Sequence, residues 1–227
     1  YTDVRNAEID KKSAIKINAH AVGYIAKLAK KVNAKLIHYS TDYVFDGKKK
    51  GSYSESDSTN PINVYGKSKL IGENKIINSG CSYIIIRTSW IISEHGKNFL
   101  LTILKLLKSK TDIYAVDNQF GYPTSAEFLA KTTLEIINRK LDFVGILNIT
   151  NSGKTSWFKL ASFIYKEGLQ RKIINKKVSI HKIKYINSKE KLKRPENSCL
   201  NNLKLKRIYN IKPDKWQIEL KKIISKL

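Results

Sequence analysis

The 227 residues contain no methionine, two cysteines, four prolines, and only 19 acidic side chains against 43 basic ones. Each shortage excludes something. Cys81 and Cys199 are too few and too far apart for a disulfide framework or a metal knuckle, which favours a reducing compartment. With four prolines and 11 glycines the chain is not collagen-like, and 41% hydrophobic residues exclude a disordered tail. The longest apolar runs, Tyr83 to Ile86 and Leu100 to Leu107, fall far short of the ~20 residues a membrane span needs. No stretch reads as a targeting signal, so a soluble, cytoplasmic protein is expected, with no membrane partner. The missing methionine, with Tyr1 in first place, predicts a longer gene product whose opening segment is absent here.

A net charge of +24 invites a polyanionic partner. The composition argues against one, because only six of the basic residues are Arg, and Lys, Ile and Asn fill 86 positions. That balance is what an A/T-biased genome produces without selection for phosphate. No aromatic and basic residues interleave as a stacking platform would require, so no nucleic-acid partner is expected. The charge is uneven: residues 1–150 carry +8 and residues 151–227 carry +16. A basic final third suits a small substrate bearing phosphates, and equally a lysine-coated surface.

Along the chain, Ile15, Ala19, Val22, Ile25, Ala26 and Ala29 have the spacing of one amphipathic helix over residues 8–31. A strand is predicted from Lys35 to Tyr39, a loop from Asp46 to Pro61, a helix from Val64 to Ile77 and a strand from Tyr83 to Ile86. The alternation continues with helix 99–107, strand 113–116, helix 126–137 and strand 145–149. Such βαβ order predicts an α/β fold, a doubly wound parallel sheet covered on both faces. Beyond Thr150 the pattern loosens into helix 156–165, an alternating run 178–185 and a terminal helix 214–227. No Gly-rich turn joins a first strand to a first helix, so the phosphate-cradling units of a nucleotide-binding fold are expected before Tyr1.

The sharpest local signal is Tyr65-Gly66-Lys67-Ser68-Lys69 on the predicted helix. A Tyr and a Lys four apart lie on one helix face. A nearby ammonium favours the phenolate, so the expectation is a Tyr65 pKa below the usual ~10 and a phenol able to move a proton at neutral pH. Ser40-Thr41-Asp42-Tyr43 sits at the end of the predicted strand, where the Thr41 hydroxyl could hydrogen-bond the same carbonyl oxygen. Asn60-Pro61-Ile62-Asn63 leads directly into the Tyr65 segment. His20, His38, His95 and His181 have no ligand spacing and are assigned no chemistry.

In this order the motifs resemble the extended short-chain dehydrogenase/reductase family. Arg87-Thr88-Ser89-Trp90, Asn98-Phe99, Asp117 to Thr124 and Arg194-Pro195-Glu196-Asn197-Ser198 narrow the resemblance to its dTDP-4-dehydrorhamnose reductase branch. The resemblance implies reduction of the C4 keto group of a dTDP-sugar by NADPH, with NADH as the other option. It implies Tyr65 as catalytic acid, Lys69 as the residue that tunes it and holds the nicotinamide ribose, and Thr41 as carbonyl-polarising hydroxyl. Asp42, Tyr43 and Trp90 are implied in the substrate site, with Arg194 as a diphosphate clamp. Thr2 and Val4 match a strand end flanking cofactor and substrate. Glu127 matches a position where some relatives hold a divalent ion, such as Mg, at a dimer interface; its plainer reading is a surface carboxylate, and no metal ligand is assigned. Residues 1–150 are expected to form the remainder of the cofactor-binding domain. Residues 151–227 would form the substrate region, interwoven with parts of 90–125, and a homodimer is a further expectation.

Two other classes share the fold. A sister nucleotide-sugar epimerase or dehydratase would retain Tyr65 and Lys69, but a dehydratase usually has an acidic pair beside the Thr, where this chain has Asp42 and Tyr43. A regulatory subunit that only binds nucleotide would have no need of Thr41, Tyr65 and Lys69 together.

Overall fold

Ile84, Ile85 and Ile86 are all buried, and their alternation across one strand sets the layers of the molecule. The computed structural model describes residues 1–139, 142–187 and 191–227. The chain opens with α1 (Val4–Ile9), α2 (Lys11–Ile15), a π-helical segment Lys16–Ala21, and α3 (Val22–Lys31). It continues through β1 (Lys35–Thr41), a 3-10 turn Asp42–Val44, α4 (Val64–Ile77), β2 (Ser82–Thr88), β3 (Ile91–Ile92) and α5 (Phe99–Ser109). Then follow β4 (Asp112–Val116), β5 (Phe120–Gly121), β6 (Thr124–Ser125), α6 (Ala126–Asn138), β7 (Gly145–Asn148), β8 (Thr155–Ser156) and α7 (Trp157–Gln170). The last elements are β9 (Ser179–Ile183), β10 (Asn197–Ser198), α8 (Leu203–Tyr209) and α9 (Trp216–Ile224).

Strands β1, β2 and β7 form a parallel sheet in that order. Ile85 faces Val22, Ala26 and Ala29 of α3 and Ile76 of α4. Ile84 and Ile86 face the opposite side, against Leu129 and Ile136 of α6 and Leu205 and Tyr209 of α8. Helices on both faces of a parallel sheet make the α/β arrangement that the alternating pattern predicts. Each isoleucine so buried stabilises the fold by about 2–3 kcal/mol relative to exposure, which pins the register.

A second core joins α5, β4, α7 and α9 around Leu104, Leu107, Leu160, Ile164, Trp216 and Leu220. Here the structure departs from the sequence expectation. Strand β4 pairs in parallel with β9 and not with the larger sheet. The Asn118 amide locks the far end of this pair, donating to the Tyr185 carbonyl at 2.9 Å while accepting the Tyr185 N–H at 2.7 Å. The single helix expected over 8–31 is also broken: Asp10 leaves helical geometry, and its carboxylate accepts the Ser13 N–H to start α2. The sequence pattern does not predict helix α8. Among the described residues no helix is long and apolar enough to cross a membrane.

Candidate active site

Helix α4 brings Tyr65 and Lys69 to the carboxyl ends of β1 and β2, and its first turn is capped from two sides. The Asn63 side chain accepts the Gly66 N–H at 2.8 Å, and Glu8 of α1 accepts the Val64 N–H at 2.7 Å. Two glycines allow the close approach. A Cβ on Gly66 would lie 2.1 Å from the Tyr43 carbonyl oxygen, and one on Gly72 would lie 2.2 Å from that of Asn18. Asn18 belongs to the π-helical segment, a local geometry frequent at functional sites. Its amide donates to Ser68 Oγ at 3.0 Å and to the Tyr1 carbonyl at 2.9 Å.

Thr41, Asp42, Tyr43 and Tyr65 converge. The Thr41 hydroxyl donates to Asp42 Oδ1 at 3.1 Å and accepts the Tyr43 N–H at 3.2 Å, close enough to the Tyr65 phenol to affect its ionisation. The rings of Tyr43 and Tyr65 meet edge to face with centroids 5.8 Å apart. The second Asp42 oxygen is buried without a partner among the described residues. Burial therefore pushes the Asp42 carboxyl up to about 6, with the nearby Ser198 hydroxyl and the Thr41 hydroxyl pulling it down. Burial likewise raises the Tyr43 phenol, and the Asp42 charge adds to the rise while Arg194 opposes it.

The phenol of Tyr65 departs from expectation in direction. Burial pushes it up to about 12, the nearby Thr41 hydroxyl pulls the other way, and the Asp42 charge adds to the rise. Lys69 does not counter this, because its ammonium is engaged elsewhere: it donates to the Tyr39 carbonyl at 2.6 Å and lies 3.2 Å from His38 Nε2. Burial holds Lys69 down to about 8, with Glu73 opposing. His38 is held down to about 4 by burial and then by Lys69, so its ring is neutral near pH 7 and can accept from the ammonium. The sequence assigns His38 no chemistry, since no spacing reveals an acceptor reached across a strand edge.

The remaining residues singled out in the sequence fall in three places. Arg194 lines a cavity of about 950 Å³ together with Arg5, Glu8, Phe99, Gln119, Trp157, Tyr185 and Lys191. Its backbone is held by Asn187, which accepts the Arg194 N–H and donates to its carbonyl. Trp90, expected as a wall of the site, instead stacks on Trp157 at 3.5 Å and lies over Gly121, where a Cβ would come within 2.5 Å of its ring. It is Trp157 that lines the cavity, with its indole N–H bonded to Gln119 at 3.2 Å. Thr2 is exposed, and Val4 begins a helix rather than ending a strand, because the Asp3 carboxylate accepts from the Arg5 and Asn6 N–H groups. Glu127 carries the ammonium groups of Lys131 and Lys226, each at 2.6 Å, which hold its carboxyl down to about 2. Among the described residues no group of three His, Cys, Asp or Glu side chains could hold a metal.

A parallel sheet wrapped by helices, with a Tyr-x-x-x-Lys helix set against a strand-end threonine, defines the extended short-chain dehydrogenase/reductase class. The family described as RmlD substrate binding domain matches residues 1–227. The dTDP-4-dehydrorhamnose reductases of Aggregatibacter actinomycetemcomitans and Escherichia coli (strain K12) are each 36% identical to the chain, over 98% and 100% of it respectively. The chain spans 77% of each relative. The crystal structure of dTDP-4-dehydrorhamnose reductase from Bacillus anthracis in complex with NADP superposes with a TM-score of 0.92 at 30% identity, covering 100% of this chain and 78% of that one. The chain belongs to the dTDP-4-dehydrorhamnose reductase family.

Proposed function

We propose that the chain reduces the C4 keto group of dTDP-4-dehydro-L-rhamnose to dTDP-L-rhamnose, in nucleotide-sugar synthesis for surface polysaccharide. The observation that carries the mechanism is the Tyr65 ring set edge to face on Tyr43, whose N–H is held by the Thr41 hydroxyl, with Lys69 one turn further along α4. The hydride for C4 comes from NADPH when it is bound. Lys69 suits the ribose side of that cofactor: an ammonium has three N–H donors, and its two named partners are both acceptors. Tyr65 and Thr2 complete the proposed cofactor contacts.

Tyr65 is the proton donor to the C4 oxygen. A phenol pushed up to about 12 is fully protonated at neutral pH, so the acid is loaded before the reaction begins. Thr41 polarises the same oxygen, with Asp42 and Tyr43 beside it. Arg194, whose planar guanidinium can fork onto phosphate oxygens, clamps the diphosphate. Val4 and Trp90 complete the proposed substrate set, Trp90 by backing the Trp157 ring that lines the cavity.

The division into a cofactor part, residues 1–150, and a substrate part, residues 151–227 interwoven with 90–125, is supported by the core that joins α5 and β4 to α7, β9 and α9. The protein works in the cytoplasm as a homodimer, with no nucleic-acid or membrane partner. Turnover of the keto-sugar by purified protein, followed as NADPH oxidation, tests the reading; activity retained in full by Tyr65→Phe sinks the mechanism.

A further inference from the structure

One buried carboxylate beside the site has no part in the chemistry above. Glu73 on α4 is 1% exposed, and both its oxygens are engaged. Oε1 accepts from the Ser40 hydroxyl at 2.5 Å and from Arg87 Nε at 3.0 Å, while Oε2 accepts from Arg87 Nη2 at 2.6 Å. Ser40 and Arg87 are direct partners across β1 and β2, each one residue before the paired Thr41 and Thr88. The Arg87 guanidinium also lies 5.1 Å from the centroid of the Phe45 ring. Two strands and a helix thus meet at a single carboxylate, where the strand ends open onto the site.

A buried ion pair alone is weak evidence for stability, since desolvation offsets its attraction. The register on the helix says more. Tyr65, Lys69 and Glu73 follow at intervals of four along one face. The groups facing Lys69 are Glu73 on its own helix, and His38 and the Tyr39 carbonyl on β1. Among these described partners Glu73 supplies the negative charge; the others are neutral.

We propose that Glu73 is a positioning residue for the reduction: clamped by Arg87 and Ser40, it holds α4 and the end of β1 so that Thr41 meets Tyr65, and it keeps the neighbouring Lys69 in its ammonium form. The inference rests on the reading that Tyr65 and Lys69 carry the reaction. Removing the carboxylate charge frees the register and leaves Lys69 in a desolvating site with no counter-charge.

The test follows the Lys69 side chain directly, by NMR titration of ¹³Cε-labelled lysine, in the wild type, Glu73→Gln and Glu73→Asp. A double variant, Glu73→Gln with Arg87→Met, removes the unpaired guanidinium and keeps the core neutral should Glu73→Gln fail to fold. Lys69 is expected to lose its proton at lower pH in the Gln variant and the double variant than in the wild type, with Asp in between. In the same variants kcat is expected to fall about 10-fold or more, KM to change less, and the loss to deepen as pH rises. A folded Gln or double variant whose Lys69 titrates as in the wild type overturns the proposal. If Lys69 shifts as stated while the wild type leaves the keto-sugar unreduced, the functional reading fails and the role of Glu73 toward Lys69 stands.

Discussion

Gly66 packs its α-carbon against the carbonyl oxygen of Tyr43 so closely that a Cβ would come within 2.1 Å of that oxygen. The contact sets the depth at which α4 sits on the strand ends, and so the distance from Tyr65 to Thr41. Since the obstacle is backbone, relief requires moving the helix itself.

Gly66→Ala should therefore lower stability by about 1–3 kcal/mol and reduce turnover beyond what the stability loss explains. Thermal unfolding and kcat on the same preparation check both parts. Unchanged kcat in a destabilised Gly66→Ala protein would show that helix depth does not set the site.

Lys69 yields a pH prediction of definite sign. Its folded pKa, about 8, lies below the ordinary 10.5, so between those values the folded state binds fewer protons than the unfolded state and stability rises with pH. At neutral pH the buried ammonium costs stability. Lys69→Met should accordingly raise the melting temperature at pH 7, with the advantage shrinking towards pH 10.5, while activity is lost. In the wild type, activity should fall as pH passes about 8, where the ammonium disappears. A rate flat to pH 9.5 would contradict the assignment.

Asp42 behaves in the opposite sense. Its folded pKa of about 6 lies above the ordinary 3.8, so its carboxylate penalises the folded state above pH 6 and the penalty vanishes below about 3.8. Asp42→Asn should stabilise the protein by on the order of 2–3 kcal/mol at pH 7 and by little at pH 3.5. Parallel denaturant titrations at the two values check it; an equal gain at both would assign the effect to something other than charge burial.

Arg194 is expected to recognise phosphate by its planar fork and not by charge alone. Arg194→Lys should weaken dTDP binding about 10-fold although the charge is kept. Calorimetry with dTDP measures this directly, and an unaltered affinity would remove Arg194 from the phosphate site.

The parts legible in the sequence were those set by local pattern. The strand ending at Thr41, the helix carrying Tyr65 and the run at Ile84 to Ile86 announce themselves by periodicity and by motif order. What stayed hidden depends on partners distant in the chain. The run 113–116 reads as a strand, but nothing within it says that β9 and not the larger sheet will receive it. Helix α3 carries Tyr24, Ile25 and Leu28 outward beside inward Val22, Ala26 and Ala29, so its apolar residues do not mark one face. Glu73 looks like an ordinary helix carboxylate until Ser40 and Arg87 close on it. Proximity in sequence points Lys69 at Tyr65, whereas the fold brings its ammonium to the Tyr39 carbonyl and His38.

In the proposed reaction the Tyr65 phenol gives the proton that completes reduction at C4. The direct measurement is kcat of Tyr65→Phe with dTDP-4-dehydro-L-rhamnose and NADPH, alongside the affinity for dTDP. A loss of about 10²–10⁴-fold in kcat with dTDP affinity little changed is expected. A Tyr65→Phe protein that reduces the sugar at the wild-type rate would contradict it.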